Sequence, residues 1–385
     1  MIQSSPLLIF QDHLSAGGAA RAANRWADVL RKMERHVVQV AGDQSFGATR
    51  LLTGKSSRGW GRLVEVFTGK GGRKERVQAG LEDMLEGERL KGIWFHNIAG
   101  GGKWGWSEQM VSVARQYAPV VWTLHDMWAL GDGREGYFEE TNLRMGIKAS
   151  RIQKICMADG RYPIAVTAPS KWLANLTTKI AGQKCWHLSN PIDFQTYSPG
   201  DQAAARRRFG LPEKGMVILA GADSIQDPRK GLDLLLEAWG QGRKDAVLAL
   251  FGRNGQRREG IVNLGSIGTD DAMADAYRAA DLYVHPARQE NAPCTIQESF
   301  ASGTPVLAFP VGGIPEMIQA GENGFLASEV TAKSLHESLE QVSADFTRLR
   351  EMREKCRRSA EELWDQGKLL RRFEGILAEI NTEKR

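Results

Sequence analysis

The sequence predicts an α/β fold with two doubly wound parallel sheets, and three observations support this prediction. Short β-branched or apolar runs alternate with amphipathic stretches along most of the chain. Parallel strands need crossover connections, which helices supply, so this alternation is typical of parallel α/β domains. The length of 385 residues suits two domains better than one. Prolines and polar residues interrupt the pattern at SNPIDFQTYSPGD, 189–201.

The predicted elements lie on both sides of this junction. The strands are 7–10, 37–40, 93–96, 120–124 and 164–168 in the first half, and 216–222, 246–252, 281–286 and 305–309 in the second. The helices are 19–33, 108–117, 170–180, 231–239, 271–280, 292–302 and 314–320. The last 55 residues show no strand pattern and are expected to be helical. We therefore expect domains at 1–190 and 191–365, with a terminal helix at 366–385 packing back towards the first domain.

The composition is that of a soluble globular protein, with 42% hydrophobic and 25% charged residues. The apolar runs are too short to span a bilayer, and the start lacks the pattern of a secretory signal. The four cysteines, Cys156, Cys185, Cys294 and Cys356, have no metal-ligand spacing. We expect them to be reduced thiols in the cytoplasm.

Charge is distributed unevenly between the halves. Residues 1–192 contain 26 Lys and Arg against 17 Asp and Glu, whereas the remainder contains 25 against 29. A basic half favours an anionic partner, such as a membrane surface or a phosphate-bearing lipid. The densest part is GKGGRKER at 69–76, for which an ordinary solvated loop is the alternative. No nucleic-acid motif accompanies the charge, so nucleic acid is not the expected partner.

Two glutamates eight positions apart are the first candidate site residues. Glu290 follows the strand predicted over 281–286, and Glu298 lies two turns into a helix for which Asn291 is the predicted N-cap. Their separation along the axis is roughly 10 Å, close to the distance between the two sugar rings of a nucleotide-sugar. The amides at the helix start suit the pyrophosphate between those rings. The alternative is that Glu290 is a helix-terminal anion and Glu298 a surface residue.

Arg229 and Lys230 are candidate phosphate ligands. They follow the strand over 216–222 and precede the amphipathic helix over 231–239. Cations at this place suit a departing pyrophosphate, whose charge grows as it leaves. A solvated pair at a helix start is the alternative.

Polar residues also follow strands of the first half. His125 and Asp126 end one strand, and His96 ends another. A lone histidine is more often structural, and Asp126 either orients His125 or caps the next helix.

A glycine turn follows the first strand. Gly17 and Gly18 allow close backbone approach, and the helix beginning near residue 19 offers its N-terminus to an anion. Arg21 is a candidate contact there, with an exposed helix arginine as the alternative.

The passage from Glu290 through Glu298 into SFASGTPVLAF resembles the signature of the retaining glycosyltransferases of family 4. VGGIPEMI at 311–318 and NGFL at 323–326 also match. Within the family the sequence is similar to exopolysaccharide and lipopolysaccharide enzymes of the colanic acid type. It departs from the family at NAPC, 291–294, where many members have a glycine-rich segment. It also lacks, in 129–146, the cysteines that related polysaccharide enzymes often have.

The resemblance implies the GT-B fold, with two Rossmann-like domains facing a cleft. It implies an acceptor-side domain at 1–190 and a donor-binding domain at 191–365. It assigns catalytic roles to His125, Glu290 and Lys230. The implied donor-binding residues are Gly17, Gly18, Arg229, Lys230, Ile267, Glu290, Asn291, Ala292, Pro293 and Glu298, and the acceptor-side residues are Arg21, His96 and Asp126. Ile267 would contact the nucleobase, with a plain core position as the alternative.

The expected protein is thus a cytoplasmic retaining hexosyltransferase of surface polysaccharide biosynthesis that needs no metal or other cofactor. Its partners would be a nucleotide-sugar donor and a saccharide or polyprenyl-diphosphate-linked acceptor. Peripheral contact with the anionic inner face of the plasma membrane is also expected. No Asp-x-Asp occurs in the chain, which argues against metal-dependent sugar transfer.

Other functions were weighed against this one. GGGKWG at 100–105 satisfies the dinucleotide-binding pattern but does not follow the first strand of its domain. GKSS at 54–57 lacks the first glycine of a P-loop. A GT-B nucleotide-sugar epimerase and a catalytically idle scaffold subunit remain alternatives. Donor turnover distinguishes them from a transferase.

Overall fold

The structure is a computed structural model that describes residues 5–11, 17–41, 81–82, 85–96, 109–131, 151–240, 246–253, 255 and 259–382. The chain divides into two compact units, Met1–Pro191 with Gln366–Arg385, and Ile192–Asp365. The predicted boundaries, 190/191 and 365/366, lie within one residue of this division.

The first unit contains a parallel sheet with strand order β2-β1-β3-β4-β5-β6. The strands are β1 (Leu7–Gln11), β2 (Val37–Ala41), β3 (Gly92–His96), β4 (Val120–Thr123), β5 (Ile164–Ala168) and β6 (Cys185–His187). Its described helices include α1 (Gly17–Lys32), α2 (Gln109–Ala114), α3 (Arg151–Met157) and α4 (Lys171–Ala181). β1, β3 and β4 are buried along their whole length, as expected for strands covered on both faces.

The second unit contains a parallel sheet with strand order β12-β11-β10-β7-β8-β9. The strands are β7 (Met216–Ser224), β8 (Ala246–Arg253), β9 (Ile261–Gly265), β10 (Leu282–His285), β11 (Val306–Ala308) and β12 (Gly324–Leu326). The helices are α5 (Gln202–Arg208), α6 (Leu232–Trp239), α7 (Asp270–Ala279), α8 (Cys294–Ala301), α9 (Ala332–Ala344) and α10 (Phe346–Trp364). The prediction of two doubly wound parallel sheets is confirmed.

The terminal helix α11 (Gln366–Thr382) packs within the first unit. The ring of Phe373 stacks on Trp94 of β3 with centroids 4.4 Å apart, and lies 5.8 Å from Trp26 of α1. Glu379 accepts hydrogen bonds from Lys184 and from the indole of Trp186. Aromatic burial and these polar contacts therefore hold α11 against the first sheet.

All nine predicted strands form, but three strands at sheet edges were not predicted. β6, β9 and β12 were missed, and each lies at an edge of its sheet. The helices α3 and α5 were also missed. The helix predicted over 314–320 was wrong, because only a 3-10 turn, Ile314–Glu316, forms there.

Two further predictions can be compared with the described residues. All four cysteines are buried, and none of them forms a disulfide bond. No helix in the described part of the chain is long and apolar enough to cross a membrane. The basic segment 69–76, the glycine patterns at 54–57 and 100–105, and residues 132–146 of the cysteine-free segment lie outside the described residues.

A buried ion pair joins α5 to the start of β10. Arg206 donates to Asp281 over 2.6 Å, and the two side chains are 4% and 2% exposed. Asp281 also accepts from the backbone N–H of Val217 over 2.8 Å. The same guanidinium donates to four backbone carbonyls, those of Ala279, Pro212, Glu213 and Gly215. The pair therefore satisfies several polar groups that would otherwise be buried without partners.

We expect Arg206→Met to destabilise the second unit by about 3–5 kcal/mol, because it leaves the Asp281 carboxylate buried without its cation. Arg207→Met is the matched control, since Arg207 meets Glu213 only in an exposed pair at 3.4 Å. It should change the free energy of unfolding by less than about 1 kcal/mol. Urea denaturation measures both values, and equal losses would contradict this role for the buried pair.

Candidate functional site

The second sheet reverses its strand order between β7 and β10. β8 and β9 extend on one side of β7, whereas β10, β11 and β12 extend on the other. Open parallel sheets bind ligands outside the carboxyl ends of their strands at such a point. Lys230 follows β7 and Glu290 follows β10. These two predicted catalytic residues therefore lie where the topology favours a binding site.

Lys230 and Glu290 form a direct ion pair. The Lys230 Nζ donates to Oε2 of Glu290 over 2.6 Å, with side chains 31% and 12% exposed. Oε1 of Glu290 accepts from the backbone N–H of Asn291 over 3.2 Å. Burial alone raises the pKa of Glu290, but Lys230 and His285 outweigh burial and hold this pKa well below its usual range. Glu290 is therefore a carboxylate at neutral pH.

His285, which the sequence analysis missed, lies beside this pair at the end of β10. Its Nε2 is 3.6 Å from Oε2 of Glu290, longer than a hydrogen bond. Its Nδ1 lies 3.2 Å from the Tyr283 hydroxyl and 3.4 Å from that of Thr295. Burial lowers the pKa of His285 against the opposing effect of Glu290, so the ring is neutral at pH 7. Lys230 is thus the charged partner of Glu290.

Glu298 is fully buried in α8, at 0% exposure. Its Oε2 accepts a hydrogen bond from the hydroxyl of Tyr277 over 3.2 Å. The alternative of a surface glutamate is therefore wrong. The predicted contact of Glu298 with a ribose stays a prediction, and Tyr277 is a partner that the spacing of the two glutamates could not indicate.

The helix that carries Glu298 begins later than predicted. α8 starts at Cys294 and its N-cap is Pro293, without a side-chain cap, so the predicted N-cap at Asn291 was wrong. Proline disfavours helical geometry in the residue before it, here the half-buried Ala292. Asn291 is instead buried, and its carbonyl accepts from the backbone N–H of Gly313 over 3.0 Å. Residues 291–293 therefore link β10 to α8 without being helical.

Arg229 and Ile267 are two further predicted donor-binding residues of the second unit. Arg229 is exposed and pairs with Asp227 over 2.8 Å at the 3-10 turn Pro228–Lys230. Ile267 is half-buried between β9 and α7. Their predicted donor contacts stay predictions.

Gly231 fixes the position of Lys230. Its φ is +64°, and a Cβ built there would lie 1.8 Å from the carbonyl oxygen of Pro286. The turn after Lys230 therefore packs directly on the segment that connects β10 to Glu290. Only glycine allows both this φ value and this close approach.

The first sheet reverses its strand order between β1 and β3, and its candidate histidines lie beyond this point. Nδ1 of His96 lies 2.9 Å from Nε2 of His125, and the rings stack with centroids 5.2 Å apart. His96 is fully buried, at 0% exposure, and its predicted role on the acceptor side stays a prediction. Burial lowers both pKa values, to about 4 for His125, and His125 further lowers that of His96.

The other residues predicted in the first unit are placed as follows. Oδ1 of Asp126 accepts from the backbone N–H of Trp128, the first residue of the following 3-10 turn, over 2.9 Å, and the N-cap of that turn is Met127. Gly17 and Gly18 begin α1, two residues earlier than expected, and both are exposed with open space around them. Arg21 is half-buried in α1. Within the described residues, no three His, Cys, Asp or Glu side chains are grouped to hold a metal ion.

Comparison with known families finds a match over most of the second unit. Residues 215–345 match the family described as Glycosyl transferases group 1. The matched region includes Lys230, Gly231, Glu290 and Glu298, so both glutamates and the lysine lie within it. The finer resemblance to enzymes of the colanic acid type stays a prediction.

Relatives of known name match over a similar region. A D-inositol 3-phosphate glycosyltransferase of Nocardia farcinica is 33% identical over 181 residues, which is 42% of this chain and 40% of the relative. A protein of the same name from Mycobacterium sp. is 33% identical over 35% of this chain and 34% of its own length. The matched part therefore spans less than half of each relative.

Solved structures match almost the whole chain in fold. Sucrose-phosphate synthase of Thermosynechococcus elongatus has a TM-score of 0.68 at 18% identity, covering 99% of this chain and 98% of its own. Anabaena Alr3699/HepE in complex with UDP has a TM-score of 0.66 at 17% identity, covering 97% and 100%. At these identities the similarity establishes the fold alone. The predicted GT-B fold class is confirmed.

We expect Gly231→Ala to be much more destabilising than Gly182→Ala. Gly182 has a similar φ of +65° but open space for a Cβ, so alanine there costs about 1 kcal/mol. At Gly231 the clash with Pro286 should add about 2 kcal/mol or more. Thermal unfolding of both variants measures the difference. Equal costs would show that the contact with Pro286 is unimportant.

We expect the ring of His125 to titrate near pH 4 instead of near 6.5. Because the folded pKa lies below the unfolded one, His125 contributes its full stability above pH 6.5. That contribution is lost as the pH falls towards 4. NMR titration of the ring C–H resonances measures the midpoint, and His125→Asn should flatten the fall of Tm across this interval. A midpoint near 6.5 would contradict the burial effect.

Proposed function

We propose that the protein is a retaining, metal-independent glycosyltransferase that uses a nucleotide-sugar donor. Its acceptor is a saccharide or a polyprenyl-diphosphate-linked saccharide in surface polysaccharide biosynthesis. The observation that best supports this proposal is the Lys230–Glu290 ion pair at the switch point of the second sheet, within the region that matches glycosyl transferases group 1.

The burial of this pair favours a functional role. Desolvating two charges costs several kcal/mol, and their attraction repays this only with good geometry and further hydrogen bonds. Glu290 has one further bond, from the backbone N–H of Asn291, and the neutral His285 nearby. Stability alone is therefore a weak reason to place a carboxylate and an ammonium here.

In the proposed reaction, Lys230 and Glu290 bind different parts of the donor. The donor diphosphate binds Lys230, which releases Glu290 to accept hydrogen bonds from hydroxyls of the donor sugar. The bond between the anomeric carbon and the diphosphate oxygen then breaks, and Lys230 stabilises the charge that develops on that oxygen. The acceptor oxygen bonds to the anomeric carbon on the same face, and its proton passes to the departing phosphate.

The other site residues keep the roles that the family resemblance implies. Arg229 assists Lys230 at the diphosphate, Glu298 binds the ribose and Ile267 contacts the nucleobase. Gly17 and Gly18 lie beside the donor phosphate, and His125 acts on the donor sugar near the reacting carbon. Protein cations supply the phosphate charge, so the proposal needs no metal ion.

The comparisons suggest which substrates to try first. The HepE structures are complexes with UDP and with UDP-glucose, so a UDP-sugar is the first donor to test. The name of the relatives adds inositol 3-phosphate as a second acceptor class. The polyprenyl-diphosphate-linked acceptor and inositol 3-phosphate are both anionic, as the basic first half favours. The same charge supports cytoplasmic action at the inner membrane face.

Donor turnover tests this function. The full chain is incubated with a panel of nucleotide-sugars, with and without acceptors. Released nucleoside diphosphate and the anomeric configuration of the product are then measured. A product with the configuration of the donor supports the proposal. A sugar isomer would instead identify an epimerase, and binding without turnover would identify a scaffold subunit.

We expect Glu290→Gln and Lys230→Met each to lower kcat by about a hundredfold or more, because each removes a charge aligned with the reacting groups. Steady-state release of nucleoside diphosphate measures this loss. Glu322→Gln is the matched control, since Glu322 pairs with Lys355 over 2.7 Å in an exposed ion pair. It should leave kcat unchanged. Wild-type rates in both site variants would overturn the assignment.

A further inference from the structure

His285 is an unusual residue for its place at the end of β10. All four residues of this strand are buried, and the His285 side chain is only 6% exposed. β10 lies in the interior of its sheet, between β7 and β11. A buried imidazole costs free energy unless its polar atoms find partners. Because an apolar side chain would occupy this position at lower cost, the imidazole itself points to a role.

The surroundings of the two ring nitrogens indicate where His285 carries its hydrogen. Burial lowers the pKa of the ring, so at pH 7 it is neutral and has one N–H. Nδ1 faces two hydroxyl groups, that of Tyr283 at 3.2 Å and that of Thr295 at 3.4 Å, whereas Nε2 faces Oε2 of Glu290 at 3.6 Å. A hydroxyl can donate to Nδ1, but a carboxylate can only accept. The favoured tautomer therefore has its hydrogen on Nε2, directed at Glu290.

The Nε2–H of His285 lies just outside hydrogen-bond distance of its acceptor. Nε2 is buried and has no hydrogen-bond partner among the described residues. Oε2 of Glu290 is held instead by Nζ of Lys230 at 2.6 Å. A movement of about 0.5 Å would bring Nε2 and Oε2 into the normal range. Because burial closes Nε2 to a substrate, His285 acts only through Glu290.

Glu290 needs another partner at Oε2 once a donor diphosphate has bound Lys230. The carboxylate is largely buried, with 12% of its side chain exposed, and a buried charge that loses its partner is costly. The hydrogen bond from the backbone N–H of Asn291 goes to the other oxygen, Oε1. The exchange at Lys230 therefore removes the partner of Oε2 at the moment when the sugar binds.

We propose that His285 is a positioning residue, which donates a hydrogen bond from Nε2–H to Oε2 of Glu290 when a diphosphate draws Lys230 away. The proposal rests on the proposed function for that exchange. A carboxylate has about four acceptor sites. His285 and the N–H of Asn291 then fill one site on each oxygen, which leaves about two sites for hydroxyls of the donor sugar. His285 thereby fixes the direction from which Glu290 receives these hydroxyls.

The tautomer is tested first, without any assay of activity. The full chain, which contains seven histidines, is labelled with ¹⁵N in the imidazole rings. Long-range ¹H–¹⁵N correlation then shows which nitrogen of each ring is protonated, and the signals of His285 are those lost in His285→Gln. At pH 8, where the ring is neutral, we expect the hydrogen on Nε2. A hydrogen on Nδ1, or a mixture of the two tautomers, would overturn the proposal, because a lone pair would then face Glu290.

Removal of Lys230 tests the exchange without any donor. Lys230→Met leaves Oε2 of Glu290 without its ammonium, as a bound diphosphate would. We expect the Nε2 proton of His285 to move downfield and to exchange more slowly with water, because it now forms a hydrogen bond. Lys355→Met is the matched control, since Lys355 meets Glu322 in an exposed pair, and it should leave this signal unchanged. An unshifted proton in folded Lys230→Met would contradict the inference. If this variant does not fold, the tautomer of the wild-type protein decides alone.

Two matched substitutions test the positioning role in transfer. Glutamine places its amide near Nε2 of the histidine it replaces, whereas asparagine places its amide near Nδ1. His285→Gln should therefore keep kcat within about threefold, since its N–H still reaches Glu290. His285→Asn should lower kcat about tenfold or more, which corresponds to one lost hydrogen bond to a charged group. Equal kcat values for the two variants would rule out this role, and Tm values show whether both fold.

A double-mutant cycle separates this inference from the proposed function. In a Glu290→Gln background, His285→Asn should change kcat by less than about twofold, because His285 acts through the carboxylate. Additive losses would overturn the inference. If the wild-type protein transfers no sugar, the proposed function fails, and the two NMR measurements still decide the role of His285. His336→Asn is the histidine control, since His336 lies in α9 and its Nδ1 donates to the carbonyl of Ala238 over 2.9 Å. It should leave kcat unchanged.

Discussion

The Lys230–Glu290 ion pair is the interaction on which the candidate site depends. Its two halves follow different strands, and the strand order β10-β7 brings those strands side by side. Gly231 completes the arrangement, because its positive φ and its contact with Pro286 place the turn after Lys230 against the segment leading to Glu290. Sheet topology, one glycine and one charge pair together form the site.

The fold could be predicted where strands are buried on both faces. Such strands are continuous apolar runs, and β1, β4 and β10 were located from this signal alone. The missed strands are edge strands. β9 is half-buried along most of its length, whereas β6 and β12 have three residues each. An edge strand pairs on one side only, so its sequence needs no long apolar run, and these three strands lack one.

The positions of some site residues could be predicted from the sequence, but the burial of others could not. Glu290 and Lys230 were found because residues after parallel strands face one edge, which sequence order shows directly. The burial of Glu298 and His96 could not be found in this way, because it depends on partners distant in sequence. Tyr277 is 21 positions from Glu298, and His125 is 29 positions from His96. Local spacing contains no information about either contact.

The largely buried titratable side chains of Glu290 and His125, one in each unit, have different charge states. In the second unit, burial is outweighed by a nearby cation, and Glu290 keeps its charge. In the first unit, burial lowers the pKa of His125 to about 4, so the ring is neutral at pH 7. A charged carboxylate next to an ammonium can exchange its partner for a diphosphate. A neutral imidazole can only donate or accept a hydrogen bond. In the proposed function, phosphate binding is therefore assigned to Lys230 of the second unit, whereas the neutral His125 contributes hydrogen bonds and no charge.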